Sequence, residues 1–218
     1  MVRHRVVRGF AAVDHAYRGM SADRYRTLGG RSEGVYRELA SKFIGYAFPI
    51  ANEDAFKTEV ERISKEHPSA RHHCYAWVLN NAGDRFRAND DGEPNGTAGK
   101  PILRQLQTLD LTYSAVVVVR YFGGTLLGKP GLIHAYGEAA RLALVVANIV
   151  ERVVMERSTI ICGYDRFDVV KSDILANEGG IIESTFTEVC SVVFELPNGR
   201  IDGLEAKWGL LGVRVSRQ

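Results

Sequence analysis

The sequence predicts an α+β protein made of two domains. Residues 33 to 147 combine strand and helix patterns, and near Val150 the pattern restarts as strand, helix, two strands, helix and strand. That second order, β-α-β-β-α-β, is the ferredoxin-like order. A chain of 218 residues has room for two small domains, each with enough apolar residues to bury a core.

The first domain is predicted to begin with a β-hairpin, Val35 to Leu39 and Lys42 to Ile50, because the second run is rich in aromatic and β-branched residues. A helix follows from the N-cap candidate Asn52 to Pro68, which ends it. Its apolar stripe, at helical spacing, consists of Phe56, Val60 and Ile63.

The next predicted strand, His72 to Leu79, has two different faces. One face suits packing under a helix, since it carries the small apolar residues Cys74, Ala76 and Val78. The opposite face carries His73, Tyr75 and Trp77. A turn at Gly83 and Asp84 then leads into a short strand, Arg85 to Ala88.

Two helices and a central strand complete the first domain. Thr97 is predicted to cap a helix that has Pro101 in its first turn, where the missing N–H is harmless. Ala115 to Val119 is apolar on both faces and is therefore expected in the middle of the sheet. The last helix starts at Gly131 and is rich in small residues, so it should pack closely.

The second domain is expected to follow a boundary near Ala147 to Arg157. Its predicted elements are strand Ser158 to Gly163, helix Phe167 to Asn177, the hairpin of Ile181 to Thr187 with Val189 to Leu196, helix Ile201 to Trp208, and strand Leu211 to Val215. The domains are therefore expected at residues 33–147 and 148–218, after an N-terminal extension or arm at 1–32. Residues 1 to 20 are expected to be dispensable for folding.

Composition limits the classes of function. The net charge is only +2, so any contact with nucleic acid must come from a local patch. The odd number of cysteines and the lack of a CxxC pair argue against a disulfide framework or zinc ribbon and favour free thiols in a reducing cytosol. No apolar run reaches the roughly 18 residues of a membrane helix, so a cytoplasmic protein without membrane contact is expected.

Two glycine-rich runs are the most informative part of the chain. We call them the first glycine loop, Arg87 to Pro101, and the second glycine loop, Arg120 to Leu132; they flank the strand candidate Ser114 to Val119. Glycine is needed where a backbone turns sharply or approaches a ligand closely. Two such runs beside one strand therefore suggest a shared concave site.

Ordered motifs in and around these loops carry a family resemblance. The segments are Ser41–Ile44, His67–Pro68, Ala70–Trp77, Asp90–Pro94, Gly96–Pro101, Val119–Gly124 and Gly131–Leu132 with Ala135–Tyr136. Together they resemble the IMPACT/YigZ family, in its bacterial YigZ-like branch, over residues 33 to about 145. The remainder is similar only in its order of elements.

The resemblance implies a ribosomal-protein-S5-domain-2-like N-terminal domain with a left-handed crossover, against the usual right-handed rule. It also implies a C-terminal ferredoxin-like domain similar to the last domain of elongation factor G, and a link to translation control. Eukaryotic members bind a protein of the amino-acid-starvation pathway and carry an RWD domain with no counterpart in this sequence. That partnership is therefore not expected here.

The second glycine loop also satisfies G-x-x-x-x-G-K between Gly123 and Lys129, directly after a strand. Pro130 stands where a nucleotide-binding P-loop needs Ser or Thr, so no hydroxyl can hold Mg²⁺ there. Two interpretations remain: a tight turn, or a loop whose N–H groups meet an RNA phosphate at a helix N-terminus.

The first glycine loop contains three carboxylates, Asp90, Asp91 and Glu93, which are oxygen ligands of the kind that Mg²⁺ accepts. The structural interpretation is that they cap turns and the following helix, or pair with Arg87 and Lys100. A third interpretation is an acidic rim for a basic protein partner.

The face of His73, Tyr75 and Trp77 mixes aromatic groups with nearby arginines, as single-stranded RNA binding requires. This interpretation needs helices to leave the face uncovered. A domain interface or a partly covered sheet face is equally compatible with the same residues.

The leading hypothesis is a non-enzymatic cytosolic regulator, without a cofactor, that binds RNA, the ribosome or a translation factor. The candidate contact residues are Arg71, His73, Tyr75, Trp77, Arg87, Thr97, Lys100, Arg120, Tyr121, Gly123, Gly124 and Lys129. The alternatives are a protein-docking stress-response regulator and a metal-dependent hydrolase of a phosphate or peptide substrate. The hypothesis requires both glycine loops to lie on one side of the first domain with their main-chain N–H groups available.

Overall fold

The computed structural model describes residues 23–217, which form five helices and eleven strands. The strands are β1 Arg24–Leu28, β2 Ser32–Glu38, β3 Ser41–Pro49, β4 His72–Leu79, β5 Arg85–Asn89, β6 Ser114–Tyr121, β7 Ile149–Val153, β8 Met155–Cys162, β9 Gly180–Phe186, β10 Cys190–Pro197 and β11 Arg214–Arg217. The helices are α1 Glu53–Glu66, α2 Gly99–Thr108, α3 Gly128–Val145, α4 Tyr164–Ala176 and α5 Ile201–Leu210. This mixture, with antiparallel strand pairing, is the expected α+β class. The predicted dispensable residues 1 to 20 lie outside the described range.

The larger sheet has the order β2-β3-β6-β4-β5. Its middle strand is β6, because the run of valines from Val116 to Val119 is fully buried and must be covered on both faces. The hairpin of β2 and β3 and the strand β4 are confirmed with bounds close to those predicted. Asn52 also caps α1 as predicted, since its Oδ1 accepts the N–H of Ala55 at 2.9 Å.

Helices cover both faces of this sheet. On one face α2 and α3 pack over the small residues of β4, and α3 comes unusually near to β3. A Cβ atom on Gly45 would lie only 2.5 Å from the carbonyl oxygen of Ala139 in α3, so only glycine permits this approach. The small residues of α3 therefore allow the close packing that its sequence predicts.

The other face of the sheet is covered by α1. The ring of Phe56 packs against Tyr75, with centroids 4.8 Å apart, and against Trp77, which is only 4% exposed. The RNA-binding interpretation of His73, Tyr75 and Trp77, which needs their face to be uncovered, is therefore wrong. Trp77 belongs to the core, as the alternative of a covered sheet face had it.

A two-stranded ribbon, β1 paired with β7, was not predicted from the sequence. Within the segment 1–32 that was expected to be an arm, Leu28 is fully buried and belongs to the core of the larger sheet. The expectation of an arm is corrected for residues 24–28, because they are both paired and packed. The preceding residue, Asp23, accepts a hydrogen bond from Asn198 Nδ2 at 2.7 Å and so also contacts the C-terminal part.

The C-terminal part forms a sheet of order β11-β8-β10-β9 with α4 and α5. It has its own buried cluster around Phe194 and Trp208, and Trp208 Nε1 donates to Asp173 Oδ2 at 2.9 Å. The element order is the predicted one, although the last strand begins at Arg214 rather than Leu211.

One boundary in the first domain also differs from the prediction. Helix α3 begins at Gly128, three residues before the predicted Gly131.

Candidate functional site

The two glycine loops meet at a cavity of about 430 Å³, which we call the loop cavity. It lies where β6 ends and β4 begins, beside the start of α3. Its lining residues are Arg71, His72, Glu93, Pro94, Arg120, Phe122, Leu126, Leu127, Gly128, Lys129 and Leu132. Both loops thus lie on the same side of the first sheet and share a concave site, as the sequence predicts.

The first glycine loop is folded around Asp90. The N–H of Glu93 donates to the carbonyl oxygen of Asp90 at 2.9 Å, and the two residues between them have positive φ, 41° at Asp91 and 85° at Gly92, as in a type I′ turn. The carboxylate of Asp90 accepts the N–H groups of Gly96, Ala98 and Gly99 at 2.8–2.9 Å. Asp90 therefore holds the loop closed and caps α2.

The electrostatics of Asp90 follow from these donors. Burial alone would raise the pKa of its carboxyl group, but the three backbone N–H groups and the charge of Lys100 outweigh burial and lower that pKa. These three N–H groups therefore form hydrogen bonds inside the loop, against the expectation that the first loop leaves its N–H groups available.

The prediction that Thr97 caps α2 is also wrong, because its hydroxyl is buried and donates to the carbonyl oxygen of Pro94.

A buried ion pair lies on the floor of the loop cavity. Arg120 and Glu93 form it, and their side chains are only 7% and 4% exposed. Glu93 Oε1 also accepts the hydroxyl of Tyr136 at 2.8 Å. Burial, with the nearby Cys74 and Glu93, raises the pKa of Tyr136, so the phenol stays protonated and donates.

Arg120 retains an unused donor. Its guanidinium lies 5.4 Å from the ring centres of both Phe43 and Phe122, and its Nε has no hydrogen-bond partner among the described residues. A buried donor without an acceptor is destabilising by about 1–3 kcal/mol. Arg120, a predicted contact residue, therefore lies in the cavity floor as a buried cation.

His72 faces the same floor. Its Nδ1 lies 2.7 Å from the carbonyl oxygen of Asp91, which can only accept, so Nδ1 carries a proton. The other nitrogen, Nε2, lies 3.9 Å from Glu93 Oε1. The backbone of Asp91 thus fixes the orientation of a histidine nitrogen towards the cavity.

The second glycine loop forms the opposite wall. Gly123 must be glycine because a Cβ there would lie 2.2 Å from the carbonyl carbon of Ala40, and its N–H donates to Ser41 Oγ at 3.1 Å. From Leu127 the chain enters α3, whose first turn has no side-chain cap. Since Pro130 has no N–H, the N–H groups of Gly128 and Lys129 are the ones that this helix start presents at the cavity.

The rim of the cavity combines cations and apolar groups. Arg71 and Lys129 are exposed, and neither forms an ion pair within residues 23–217. Phe122 is 46% exposed and Leu126 is 84% exposed. With Arg120, the lining carries three permanent positive charges against the single carboxylate of Glu93, so the loop cavity favours an anion.

Other predicted site residues lie elsewhere. The hydroxyl of Tyr121 bonds His67 Nδ1 at 2.8 Å on the α1 side of the sheet, and Arg87 lies directly opposite Trp77 on β5. Lys100 lines a neighbouring cavity of about 390 Å³ between α2 and α3. Of the predicted contacts, the loop cavity brings together only Arg71, Arg120 and Lys129, and Gly123 shapes its wall.

The predicted possible metal ligands do not converge. Asp90 is enclosed by backbone donors, Glu93 is paired with Arg120, and Asp91 Oδ2 accepts the N–H of His73 at 2.7 Å. Among the described residues, no three His, Cys, Asp or Glu side chains are placed as metal ligands would be. The geometry supports the interpretation that these carboxylates hold turns, cap the following helix or pair with a cation.

Sequence reasoning missed several cavity residues. The sequence does not identify His72, Phe122, Leu126 and Tyr136 as site residues, and it suggests Glu93 only as a metal ligand, an acidic rim residue or a structural residue. The missing information was the pairing of β4 with β6, which places His72 opposite Arg120. The one available signal was the position of Phe122 and Leu126 inside a glycine-rich loop, where large apolar residues have no core to fill.

Comparison with known proteins places this architecture in a family. The model of the Impact N-terminal domain matches residues 39–144. The IMPACT family member YigZ of Escherichia coli strain K12 is 36% identical over 169 residues, which cover 77% of this chain and 83% of that relative. The chain belongs to the IMPACT family.

Further IMPACT family similarity extends through both parts of the chain. The IMPACT family member YvyE of Bacillus subtilis strain 168 is 34% identical over 155 residues, or 71% of this chain and 70% of the relative. A crystal structure described as that of a hypothetical protein superposes with a TM-score of 0.72 at 30% identity, covering 90% of this chain and 98% of that one. The two-part arrangement is therefore shared with a solved structure.

A helix that spans a membrane needs about 20 mostly apolar residues. No helix within residues 23–217 combines the length and the apolar character that spanning a membrane demands.

Proposed function

We propose that this IMPACT family protein is a non-enzymatic regulator of translation that binds single-stranded RNA at the loop cavity. The observation that carries the proposal is the placement of unpaired Arg71 and Lys129 around one cavity with the exposed ring of Phe122. Cations meet phosphates, and aromatic rings stack on bases, so this combination suits a single strand.

The size and position of the cavity support a single strand over a duplex. A cavity of about 430 Å³ falls in the range of small-molecule sites, roughly 300–1,000 Å³, and cannot admit a base-paired helix. The N-terminus of α3 adds main-chain donors and the positive end of a helix dipole, both of which favour phosphate. The link to translation comes from family membership, which is an argument by analogy.

The test is fluorescence anisotropy of a labelled single-stranded RNA with the purified protein over a salt titration. Arg71→Ala and Lys129→Ala are each expected to weaken binding roughly five- to tenfold and to reduce the slope of log K against log salt by about 0.7, the value for one lost phosphate contact on a single strand. Both side chains are exposed, so neither change should disturb the fold.

Matched controls are available in the C-terminal part. Lys171→Ala and Arg200→Ala remove exposed cations far along the chain from the loops, and they should leave the affinity unchanged. The proposal fails if RNA does not bind at low salt, or if the control variants lose as much affinity as Arg71→Ala and Lys129→Ala.

Docking of a protein segment is the second candidate, favoured by one observation. Leu126, at 84% exposure beside Phe122, is a large apolar residue that RNA binding alone does not require. If a protein docks here, Leu126→Ser should abolish co-purification of that protein, whereas RNA affinity should change little. Co-purification from cell extract with both the parent chain and Leu126→Ser distinguishes the two candidates.

We also propose that residues 33–147 have the ribosomal-protein-S5-domain-2-like fold and residues 148–218 the ferredoxin-like fold. Separate buried clusters support two domains. The sheet order β11-β8-β10-β9, with the first and third strands of the second unit in the centre, supports the ferredoxin-like assignment.

A further inference from the structure

We propose that the loop cavity is a pocket for a single nucleotide carrying a terminal phosphate, so that RNA is held by a phosphorylated end. This inference rests on the proposed RNA binding and specifies which part of the RNA enters. Its basis is the chemistry of the cavity floor, whereas the proposed RNA binding rests on the exposed residues of the rim.

The charge of the cavity matches a phosphomonoester. Arg71, Arg120 and Lys129 face one carboxylate, Glu93, and therefore leave two positive charges without a counterpart. An internal phosphodiester carries one negative charge, whereas a phosphomonoester carries about −1.5 to −2 at pH 7. A terminal phosphate therefore balances the lining better than an internal one.

Two independent features mark where the phosphate lies. One is the uncapped start of the 18-residue helix α3, with the N–H groups of Gly128 and Lys129. The other is Arg120, which lines the cavity and is only 6% exposed, so water screens its positive charge little. A phosphate can accept hydrogen bonds from the helix start while the charge of Arg120 attracts it.

The remaining wall accommodates the nucleoside. Phe122, Leu127 and Leu132 are apolar lining residues, and a base can lie with its flat face against them. These groups offer no hydrogen-bond pattern that distinguishes bases, so the pocket should accept purine and pyrimidine nucleotides alike.

The experiment is isothermal titration calorimetry of the full chain with adenosine 5′-monophosphate, adenosine and inorganic phosphate. The monophosphate is expected to bind at a single site at least tenfold more tightly than either adenosine or inorganic phosphate. Lys129→Ala should weaken it about tenfold, Lys171→Ala should not, and Glu93→Gln should strengthen it because one negative charge leaves the floor. Circular dichroism checks that each variant is folded.

Equal binding of inorganic phosphate and the monophosphate overturns the nucleotide assignment, and so does binding that Lys129→Ala leaves unchanged. Competition against labelled RNA separates this inference from the proposed function. RNA that binds but is not displaced by the monophosphate refutes the single-nucleotide pocket and leaves RNA binding intact. A monophosphate that binds while RNA does not refutes RNA binding and leaves a small-molecule site.

Discussion

Asp90 and Glu93, three residues apart in one turn, have different tasks. Asp90 binds three backbone N–H groups and holds the first glycine loop, whereas Glu93 neutralises Arg120 in the cavity floor. A loop rich in glycine is entropically expensive to order. The carboxylate of Asp90 offsets this by fixing the loop, so that Glu93 meets Arg120 at a defined position.

Replacing Asp90 by alanine is expected to destabilise the protein by about 2–4 kcal/mol at pH 7, because several buried donors lose one charged acceptor. The folded-state pKa of Asp90 is below its ordinary value of 3.8, so its stabilising contribution is present above pH 3.8 and is lost as the pH falls through the folded pKa. Urea unfolding from pH 3 to 7 measures this difference.

The stability difference between the parent chain and Asp90→Ala should therefore narrow below about pH 4. Asp90→Asn, which keeps one acceptor oxygen, should lose less stability than Asp90→Ala. A difference that stays constant from pH 7 to 3 would show that the charge of Asp90 is not what holds the loop.

At this scale the sequence predicts residue types better than partners. It identifies Arg71, Arg120 and Lys129 as candidate cations, but the pairing of Arg120 with Glu93 depends on how β4 and β6 align, which no local pattern encodes. The cap of α2 is likewise assigned wrongly to Thr97, because its true partner is distant in sequence. A cap is normally sought next to the helix, and here Asp90 caps Ala98 from eight positions away.

At the scale of elements, two helices on opposite faces decide what the sheet can do. Helix α1 covers Trp77 and removes that face from any contact with RNA, while α3 packs on β2 and β3 and directs its first turn at the loop cavity. The approach of α3 depends on a glycine in β3 that lies against its backbone. The position of the start of α3, and therefore the shape of the loop cavity, depends on the close packing of Gly45 against Ala139 farther along the helix.

Gly45→Ala is expected to destabilise the protein by about 1–3 kcal/mol, because the new methyl group would lie 2.5 Å from the carbonyl oxygen of Ala139 and would force α3 outward. Denaturant unfolding measures the effect. Gly203→Ala is the matched control: a Cβ there meets nothing within 4 Å, and alanine in α5 should instead stabilise by roughly 0.5–1 kcal/mol. Equal effects of the two changes would contradict the proposed packing constraint.

Helical and strand periodicity were sufficient to predict most elements. The stripe of α1 and the alternation of β4 are clear in the sequence because each element has one buried face. Periodicity leaves two interpretations for the face opposite Cys74, since aromatic and polar residues suit both an exposed surface and a contact with a helix. Only the position of Phe56 over Tyr75 and Trp77 decides between them.

At the scale of the whole molecule, the ribbon of β1 and β7 lies between the two parts of the chain. Strand β1 precedes the larger sheet, and β7 directly precedes β8, the first strand of the C-terminal sheet. Leu28 enters the first core, and Val154, directly after β7, donates its N–H to Asp23 and accepts from the N–H of Asn198. The sequence did not reveal β1 because five residues, Arg24 to Leu28, are too few to show a period.

Leu28→Ala should destabilise the chain by about 2–5 kcal/mol, as expected for a fully buried leucine. Leu210→Ala, at a position 90% exposed, should have almost no effect. Removal of residues 1–19, so that the chain starts at Met20, should also preserve stability. Thermal unfolding compares all three changes, and an unaffected Leu28→Ala would show that β1 does not belong to the core.

The proposed RNA-binding site is the loop cavity, at the start of α3. The most direct test is nuclear magnetic resonance of ¹⁵N-labelled protein during addition of a short 5′-phosphorylated single-stranded RNA. The backbone amides of Gly128 and Lys129 and the side-chain Nε–H of Arg120 are expected to shift together and to saturate. Shifts confined to other surfaces, or no shift at these three groups while RNA is bound, would be evidence against RNA binding in the loop cavity.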